Sequence, residues 1–175
     1  MVYKVLMVLI ILISNVNASI GDKNIKTFRA NFSQTVTNES GKSIEYQGEV
    51  YIKNNGKILW KYVKPILKNV YLIDDILIVD EPELEQAIYS RLEKSIDVLK
   101  LIKDAKEIEE NLYESTLYNR KYTIKTKNGK ISLLSYKDEL ENKVSISFDD
   151  IEQNIELDDR FFQFIAPIDY DIIEK

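Results

Sequence analysis

Apolar and polar side chains alternate with a period of two along most of the chain, the spacing that places successive side chains on opposite faces of a β-strand. The clearest case is 57–63, where Ile58, Trp60 and Tyr62 share one face and the intervening residues share the other. Glycine and proline, which weaken or interrupt strands, number only 5 and 3 in 175 residues. The alternation therefore predicts a mainly β fold.

The same pattern recurs in segments bounded by turn residues. It predicts further strands at 28–36, 46–53, 69–73, 76–80, 85–92, 121–126, 130–136 and 144–148, with closing strand segments at 161–165 and 170–173. For 28–36 a helix remains an alternative, because Phe28 and Phe32 are four residues apart. The pattern of 85–92 is ambiguous between helix and strand, although alternation slightly favours a strand. Asn128-Gly129 is the strongest two-residue hairpin signal, and Asp74-Asp75 marks another hairpin.

Three short segments favour helices. In 96–103, Val98, Leu99 and Ile102 recur at helical spacing, and shorter helices are predicted at 22–27 and 106–112. Together these elements indicate a single antiparallel sheet, highly curved or partly closed, with a few short helices. The apolar concave face of such a sheet needs a cover, which can be a second sheet, a helical lid or a ligand.

Residues 1–18 are typical of a secretory signal peptide. Lys4 provides a short basic start, 5–13 is nearly unbroken apolar sequence, and Ala18 is the small residue that a signal peptidase needs. The apolar run is shorter than the ~20 residues that span a bilayer. We expect cleavage after Ala18, which leaves 19–175 as a single domain that is soluble in the compartment it reaches. A buried N-terminal strand or helix is the alternative.

Composition narrows the chemistry. The chain has no histidine and no cysteine, which excludes Ser-His-Asp triads, imidazole bases, thiolate chemistry and disulfides. Paired carboxylates at 74–75, 149–150 and 158–159 remain as catalytic candidates, and we interpret them as solvated acids at turns. An enzyme is therefore the weakest interpretation, and we expect no metal and no cofactor. The net charge of −5 and the lack of a basic-aromatic stripe argue against nucleic acid as a partner.

Ordered pieces of the sequence resemble the LolA family of periplasmic outer-membrane lipoprotein carriers. They are Phe28-x-Ala30-x-Phe32-x-Gln34, Gly48 followed by Trp60-x-Tyr62-x-x-Pro65, Leu72-Ile73-Asp74-Asp75, Pro82-x-Leu84-x-Gln86, Asp138-Glu139-Leu140-Glu141-Asn142 and Phe162-x-Phe164-x-x-Pro167. The resemblance extends over most of 19–175 and implies an incomplete, strongly curved antiparallel β-barrel, with short helices forming a lid over the concave apolar face.

The resemblance also implies a function. The family collects lipoproteins released by an inner-membrane ABC transporter, encloses their acyl chains in the cavity and carries them across the periplasm to the outer membrane. An outer-membrane acceptor, where one is present, receives the cargo. On this interpretation the chain is a soluble, monomeric periplasmic chaperone.

Three positions depart from the family pattern. Asn54-Asn55 stands where the family usually has an Arg-Pro pair, whose arginine hydrogen-bonds the helical lid in the closed state. The contact that holds the lid closed must therefore be weaker in this chain, or it must be made in a different way. Asp75 replaces the hairpin glycine, and Asp169 replaces the glycine after the terminal proline, so local loop geometry should differ as well.

Face assignment places eleven apolar residues on the wall of the expected cavity. They are Phe28, Phe32, Val50, Ile52, Ile58, Trp60, Tyr62, Leu72, Ile78, Ile146 and Phe148. Taken singly, each could equally be plain core, but the Ile58-Trp60-Tyr62 face favours a cavity because bulky aromatic side chains suit flexible acyl chains. The lid candidates are Val98, Leu99 and Ile102, with an ordinary packed surface helix as the alternative.

Two other functions stay open at this point. The chain could be a carrier or acceptor for another lipid or hydrophobic molecule. It could also be a structural β module whose sheet closes without any ligand.

Overall fold

A computed structural model describes residues 25–92, 98–117 and 119–175, and the predicted signal peptide lies outside them. The described chain forms twelve strands, one α-helix, α1 (Val98–Lys103), and two 3-10 helices, Pro82–Leu84 and Asp159–Phe162. The strands are β1 (Thr27–Thr37), β2 (Ser43–Lys53), β3 (Ile58–Lys64), β4 (Lys68–Ile73), β5 (Ile76–Glu81), β6 (Gln86–Arg91), β7 (Lys106–Glu109), β8 (Leu112–Leu117), β9 (Arg120–Lys127), β10 (Lys130–Lys137), β11 (Lys143–Gln153) and β12 (Asp171–Glu174).

All of these strands belong to one sheet, in the order β12-β6-β5-β4-β3-β2-β1-β11-β10-β9-β8-β7. The pairings are antiparallel, except that β12 runs parallel to β6. β4 and β9 lie far apart in this order, yet Val70 and Tyr122 line the same cavity, so the sheet curves round on itself. Within the described chain β12 and β7 remain as edges. The mainly β fold with an incomplete, strongly curved sheet is confirmed.

β1 lies at the centre of the sheet because apolar residues match it on both sides. Phe28 pairs with Ile52 of β2, and Phe32 pairs with Phe148 of β11. Cross-strand apolar pairs of this kind are the unit of sheet stabilisation. The strands predicted at 28–36 and 85–92 are confirmed as β1 and β6, and both predicted hairpins form.

The helix predicted at 106–112 was wrong, and the helix predicted at 22–27 does not extend over its described residues, 25–27. Residues 106–112 form β7 and a turn at Asn111 (φ 60°), after which β8 begins. The Lys/Glu-rich composition is typical of a helix. However, β7 is an edge strand, and even its Ile108 side chain is exposed. It therefore does not need alternating apolar residues that pack against the core. Thr27, the last residue of the helix predicted at 22–27, is instead the first residue of β1. Its side-chain hydroxyl donates a hydrogen bond of 2.6 Å to the carbonyl oxygen of Ile155. Residues 22–24 lie outside the described chain.

The chain after β11 crosses the convex face of the sheet, and the strand predicted at 161–165 was wrong. Asp159–Phe162 is a 3-10 helix capped by the Asp158 carboxylate, which accepts a hydrogen bond from the backbone N–H of Arg160. Phe162 is buried against Tyr51, and Phe164 contacts the ring of Tyr71. The apolar spacing of this segment therefore reflects packing onto the sheet and not strand pairing.

Candidate functional site

The concave face encloses a cavity of about 300 Å³ between two parts of the curved sheet. One wall comes from β1 to β5 and the other from β8 to β11. Alternate residues of each strand point into the cavity, because successive side chains of a strand lie on opposite faces. The lining is predominantly apolar, so the cavity suits a hydrocarbon guest that would otherwise be in water.

Eight of the eleven residues predicted for the cavity wall line this cavity. They are Phe28, Ile52, Ile58, Trp60, Tyr62, Leu72, Ile146 and Phe148. Phe32 and Val50 belong to the same apolar cluster but are fully buried within the core next to the cavity.

Ile78 was assigned to the wrong face of the sheet. In the pairing of β4 with β5, Leu77 pairs with Leu72, whereas Ile78 pairs with Tyr71. Leu72 and Leu77 line the cavity, so Ile78 and Tyr71 lie on the convex face. The segment Ile76–Val79 is apolar at every position, so alternation alone could not distinguish its two faces.

Aromatic rings connect the first wall to β11 of the second wall. The ring of Trp60 lies 4.9 Å from that of Phe32 and 6.4 Å from that of Phe148, measured between centroids. Phe148 in turn makes an edge contact with Phe28 at 5.8 Å. These geometries are the edge-to-face and tilted arrangements that aromatic pairs prefer. Trp60 is only partly buried, and its side chain is available to a guest in the cavity.

Sequence reasoning missed most of the second wall, apart from Ile146 and Phe148 of β11. The additional lining residues are Gln34, Val70 and Leu77 of the first wall, Leu101 of α1, and Leu117, Arg120, Tyr122, Ile124, Ile131, Leu134 and Tyr136 of the second wall. In β9 the signal was present, because Tyr122 and Ile124 alternate with Lys121, Thr123 and Lys125. The side-chain pattern of a single strand does not show that β9 and β10 lie across the cavity from β3 and β4.

One end of the cavity carries polar groups. The hydroxyl of Tyr62 donates a hydrogen bond of 3.0 Å to the side-chain oxygen of Gln34. Burial raises the pKa of Tyr62 well above its ordinary value, so this hydroxyl stays protonated and acts as a donor. Burial also raises the pKa of Tyr136. Arg120 lies at the same end, with its guanidinium 3.5 Å from the Glu139 carboxylate.

The helix α1 packs over the other end of the second wall. Ile102 is buried against Tyr113, Ile124 and Ile131, and both Leu101 and Ile102 line the cavity. The predicted helix at 96–103 is thus confirmed from Val98 onward. The side chains of the other two lid candidates, Val98 and Leu99, lie outside the described structure.

Asn54 lies in an exposed turn. It occupies the position at which the family that the sequence resembles has its lid-binding arginine. The backbone N–H of Asn54 donates to the carbonyl oxygen of Lys26 at 2.8 Å, and its side chain is exposed. Asp74 supplies the left-handed residue of the next hairpin, with φ 56°. Among the described residues no three acidic side chains cluster as metal ligands would. In the same part of the chain, no helix has the length and apolarity needed to cross a membrane.

Comparison with known proteins identifies relatives over most of the chain. Residues 23–116 match the model of the family described as outer membrane lipoprotein carrier protein LolA. The outer-membrane lipoprotein carrier protein of Wolinella succinogenes is 38% identical over 154 residues, which cover 87% of this chain and 90% of that protein. The carrier of the same name from Campylobacter jejuni is 31% identical and covers 87% of this chain and 89% of its own length.

A solved structure of an uncharacterized conserved protein from Thermus thermophilus has a similar fold. It is 9% identical, with a TM-score of 0.53, and the match covers 87% of this chain and 93% of that one. At this identity the likeness concerns the fold alone.

Proposed function

This chain belongs to the LolA family, and we propose that it is a periplasmic chaperone that carries lipoproteins by enclosing their acyl chains in the cavity. The observation that carries the proposal is the apolar cavity between the two walls of the sheet, lined by Ile58, Trp60 and Ile124 among others. Removing hydrocarbon from water gains about 0.8 kcal/mol for each buried CH₂. A chain of about 14 methylenes therefore gains roughly 10 kcal/mol, which a water-filled or polar site could not supply.

The cavity of about 300 Å³ is bordered at one end by the helix α1 and not by sheet, so it can widen there when acyl chains enter.

The element best placed to move is α1. Its described part, Val98–Lys103, rests on the second wall through Leu101 and Ile102. Most helical stability in proteins comes from tertiary packing, so α1 depends on those contacts. We assign it as the lid that is displaced when acyl chains enter, and that covers the apolar face when the carrier is empty.

The remaining steps follow the family. Residues 1–18 direct export and are removed after Ala18, which leaves 19–175 as the soluble carrier domain. The lipoprotein-releasing ABC transporter of the inner membrane loads it, and an acceptor at the outer membrane, where present, unloads it. The carrier acts as a monomer, without a cofactor and without enzymatic chemistry.

Trp60 provides a direct test, since it is the single tryptophan in the sequence. A diacylglyceryl-cysteine peptide with brominated acyl chains should quench its fluorescence strongly, because Trp60 lines the cavity. An unacylated peptide of the same sequence should not. Quenching that sets in only at concentrations where the lipopeptide forms micelles would contradict the proposal.

Ile58→Glu places a charge on the wall and should weaken lipopeptide binding by at least about tenfold, since an unpaired buried carboxylate is strongly unfavourable. The matched control is Ile172→Glu, the same change at a residue that is 49% exposed on β12. Thermal unfolding followed by circular dichroism checks that both variants are folded. If folded Ile58→Glu binds and carries lipoproteins normally, the cavity is not the acyl site. Mass spectrometry of the chain isolated from the periplasm separates lipoproteins from another lipid cargo.

A further inference from the structure

The cavity is chemically asymmetric along its length. Gln34, Tyr62 and Arg120 lie at the end of the sheet where the β1–β2, β8–β9 and β10–β11 turns are found. Ile52 and Ile58 lie at the opposite end, near the 54–57 turn. A uniformly apolar container for hydrocarbon does not require this difference between its ends.

The polar end has hydrogen-bond donors to spare within the described structure. The hydrogen bond from Tyr62 occupies the side-chain oxygen of Gln34, so the Gln34 amide N–H₂ group is left to donate. The Arg120 side chain is 30% exposed, and its contact with Glu139 is long, at 3.5 Å, to a carboxylate that is itself 90% exposed. A guanidinium has five N–H donors, so most of its capacity is unused.

These groups match the chemistry of the bond between an acyl chain and glycerol. An ester carbonyl oxygen is a hydrogen-bond acceptor. When it enters a cavity that has no donor, it loses its hydrogen bonds to water and gains none in return, which is unfavourable. Resting on the function proposed above, we propose that Arg120 and Gln34 form a binding site for the ester carbonyl oxygens of the lipid anchor. The acyl chains then run from this end towards Ile58 and the helix α1.

The orientation has a physical advantage. The cargo's protein part is attached next to the ester groups and must stay in water, so the polar end must be the mouth of the cavity. Arg120 is partly exposed and also borders a solvent-open groove on the neighbouring surface, which is consistent with a mouth. The chain ends, which need no polar partner, extend beneath α1 and displace it as the cavity fills.

Two ligands with equal chains test the proposal. One is a diacylglyceryl-cysteine peptide, and the other is its dialkyl ether analogue, which lacks the carbonyl oxygens; both carry bromine in the chains and are followed by Trp60 quenching. A hydrogen bond to a charged donor contributes about 1.5–3 kcal/mol, so Arg120→Met should weaken binding of the ester ligand by about tenfold or more. Binding of the ether analogue should change by less than about twofold. Arg120→Lys should restore part of the ester affinity.

The control is Arg91→Met, which removes the same charge from a side chain that is 77% exposed and pairs with Asp75 on the far side of the sheet. It should leave both affinities unchanged. Equal weakening of ester and ether binding by Arg120→Met would overturn the proposal, since it would mean that the arginine only shapes the cavity. Unchanged binding of both ligands would overturn it too. If the wild-type chain binds neither ligand, it is the acyl-carrier function that fails.

Discussion

Gly48 is the residue at which the core next to the cavity leaves no room for a side chain. It lies on β2 between Phe32 of β1 and Tyr62 of β3, where the β2–β3 register shifts. A Cβ at this position would overlap the carbonyl oxygen of Lys61 and come within 2.9 Å of the Phe32 ring. The close approach of the strands here allows the Phe32 and Tyr62 rings to meet at 5.1 Å.

Gly48→Ala should therefore lower the free energy of unfolding by about 3 kcal/mol, the upper part of the range for overpacked cores, because backbone and ring must both move. Urea unfolding measures the loss. The comparison is Gly41→Ala in the β1–β2 turn, where an added Cβ meets nothing and only the φ of +80° opposes alanine. That change should cost about 1 kcal/mol. Similar losses at the two sites would show that β2 and β3 can separate freely.

Alternation predicted individual residues well wherever one face of a strand is polar. In β3 the residues Ile58 and Lys61 were assigned to their correct faces because lysine marks the outward side. In β5 both faces are apolar, since the convex side is covered by the C-terminal segment, and Ile78 was misassigned. Arg120 was not recognised at all, because a partly exposed arginine that lines a cavity has the same local sequence context as a solvated one.

The C-terminal segment is held to the sheet by two buried side chains, Leu157 and Phe162. Phe162 is 1% exposed and packs against the convex face, whereas its neighbour Phe161 is 45% exposed and stacks on Tyr51 at 5.3 Å. All four residues of β12 are exposed, so this strand adds backbone hydrogen bonds to β6 but little apolar burial. The segment should thus depend on Phe162 more than on β12.

Phe162→Ala should lower the free energy of unfolding by about 3–5 kcal/mol, the usual cost of removing a buried phenylalanine. Phe161→Ala is the matched control and should cost about 1 kcal/mol, the value of an exposed aromatic contact. Differential scanning calorimetry on both variants gives the comparison. An equal decrease in Tm would indicate that the 3-10 helix is anchored by its capping hydrogen bonds and not by burial.

Helical and edge elements were the least predictable part of the fold. β7 reads Lys-Glu-Ile-Glu and has the composition of a solvent-exposed helix, yet it pairs with β8 because the hairpin turn at Asn111 returns the chain. β12 pairs in parallel with β6, a contact between segments far apart in sequence that no local pattern encodes. In contrast, Asn128 and Gly129 both adopt positive φ, as their hairpin signal required.

At the scale of the whole molecule, the described sheet is open and the sequence has no cysteine that could cross-link it. Both edges of the described sheet carry acids, Glu107 and Glu109 on β7 and Asp171 and Glu174 on β12. Charged side chains on an edge strand oppose pairing with a second molecule. On the proposal that α1 moves during loading, this protection limits aggregation while apolar surface is exposed.

Groups whose pKa differs between the folded and unfolded chain make the stability of the fold depend on pH. The hydrogen bond from Arg160 holds the pKa of Asp158 at about 2, and hydrogen bonds from Lys53 and Lys57 lower the pKa of Asp159. A lowered folded-state pKa gives stability that is present above the unfolded value of about 4 and is lost as the pH falls towards the folded value. Burial raises the pKa of Tyr62 and Tyr136, so their contribution is present below about pH 10 and is lost at higher pH.

Between these limits the chain has no histidine to titrate. The Tm measured by circular dichroism should therefore stay level from about pH 5 to pH 9, fall below about pH 4 and fall again above about pH 10. Tyr62→Phe should make the alkaline decrease shallower, because it removes one buried phenol that ionises on unfolding, and should leave the acidic decrease unchanged. A drop in Tm between about pH 8 and pH 6, or an alkaline limb that is identical in the variant, would show that groups other than these carboxylates and tyrosines control the stability of the fold.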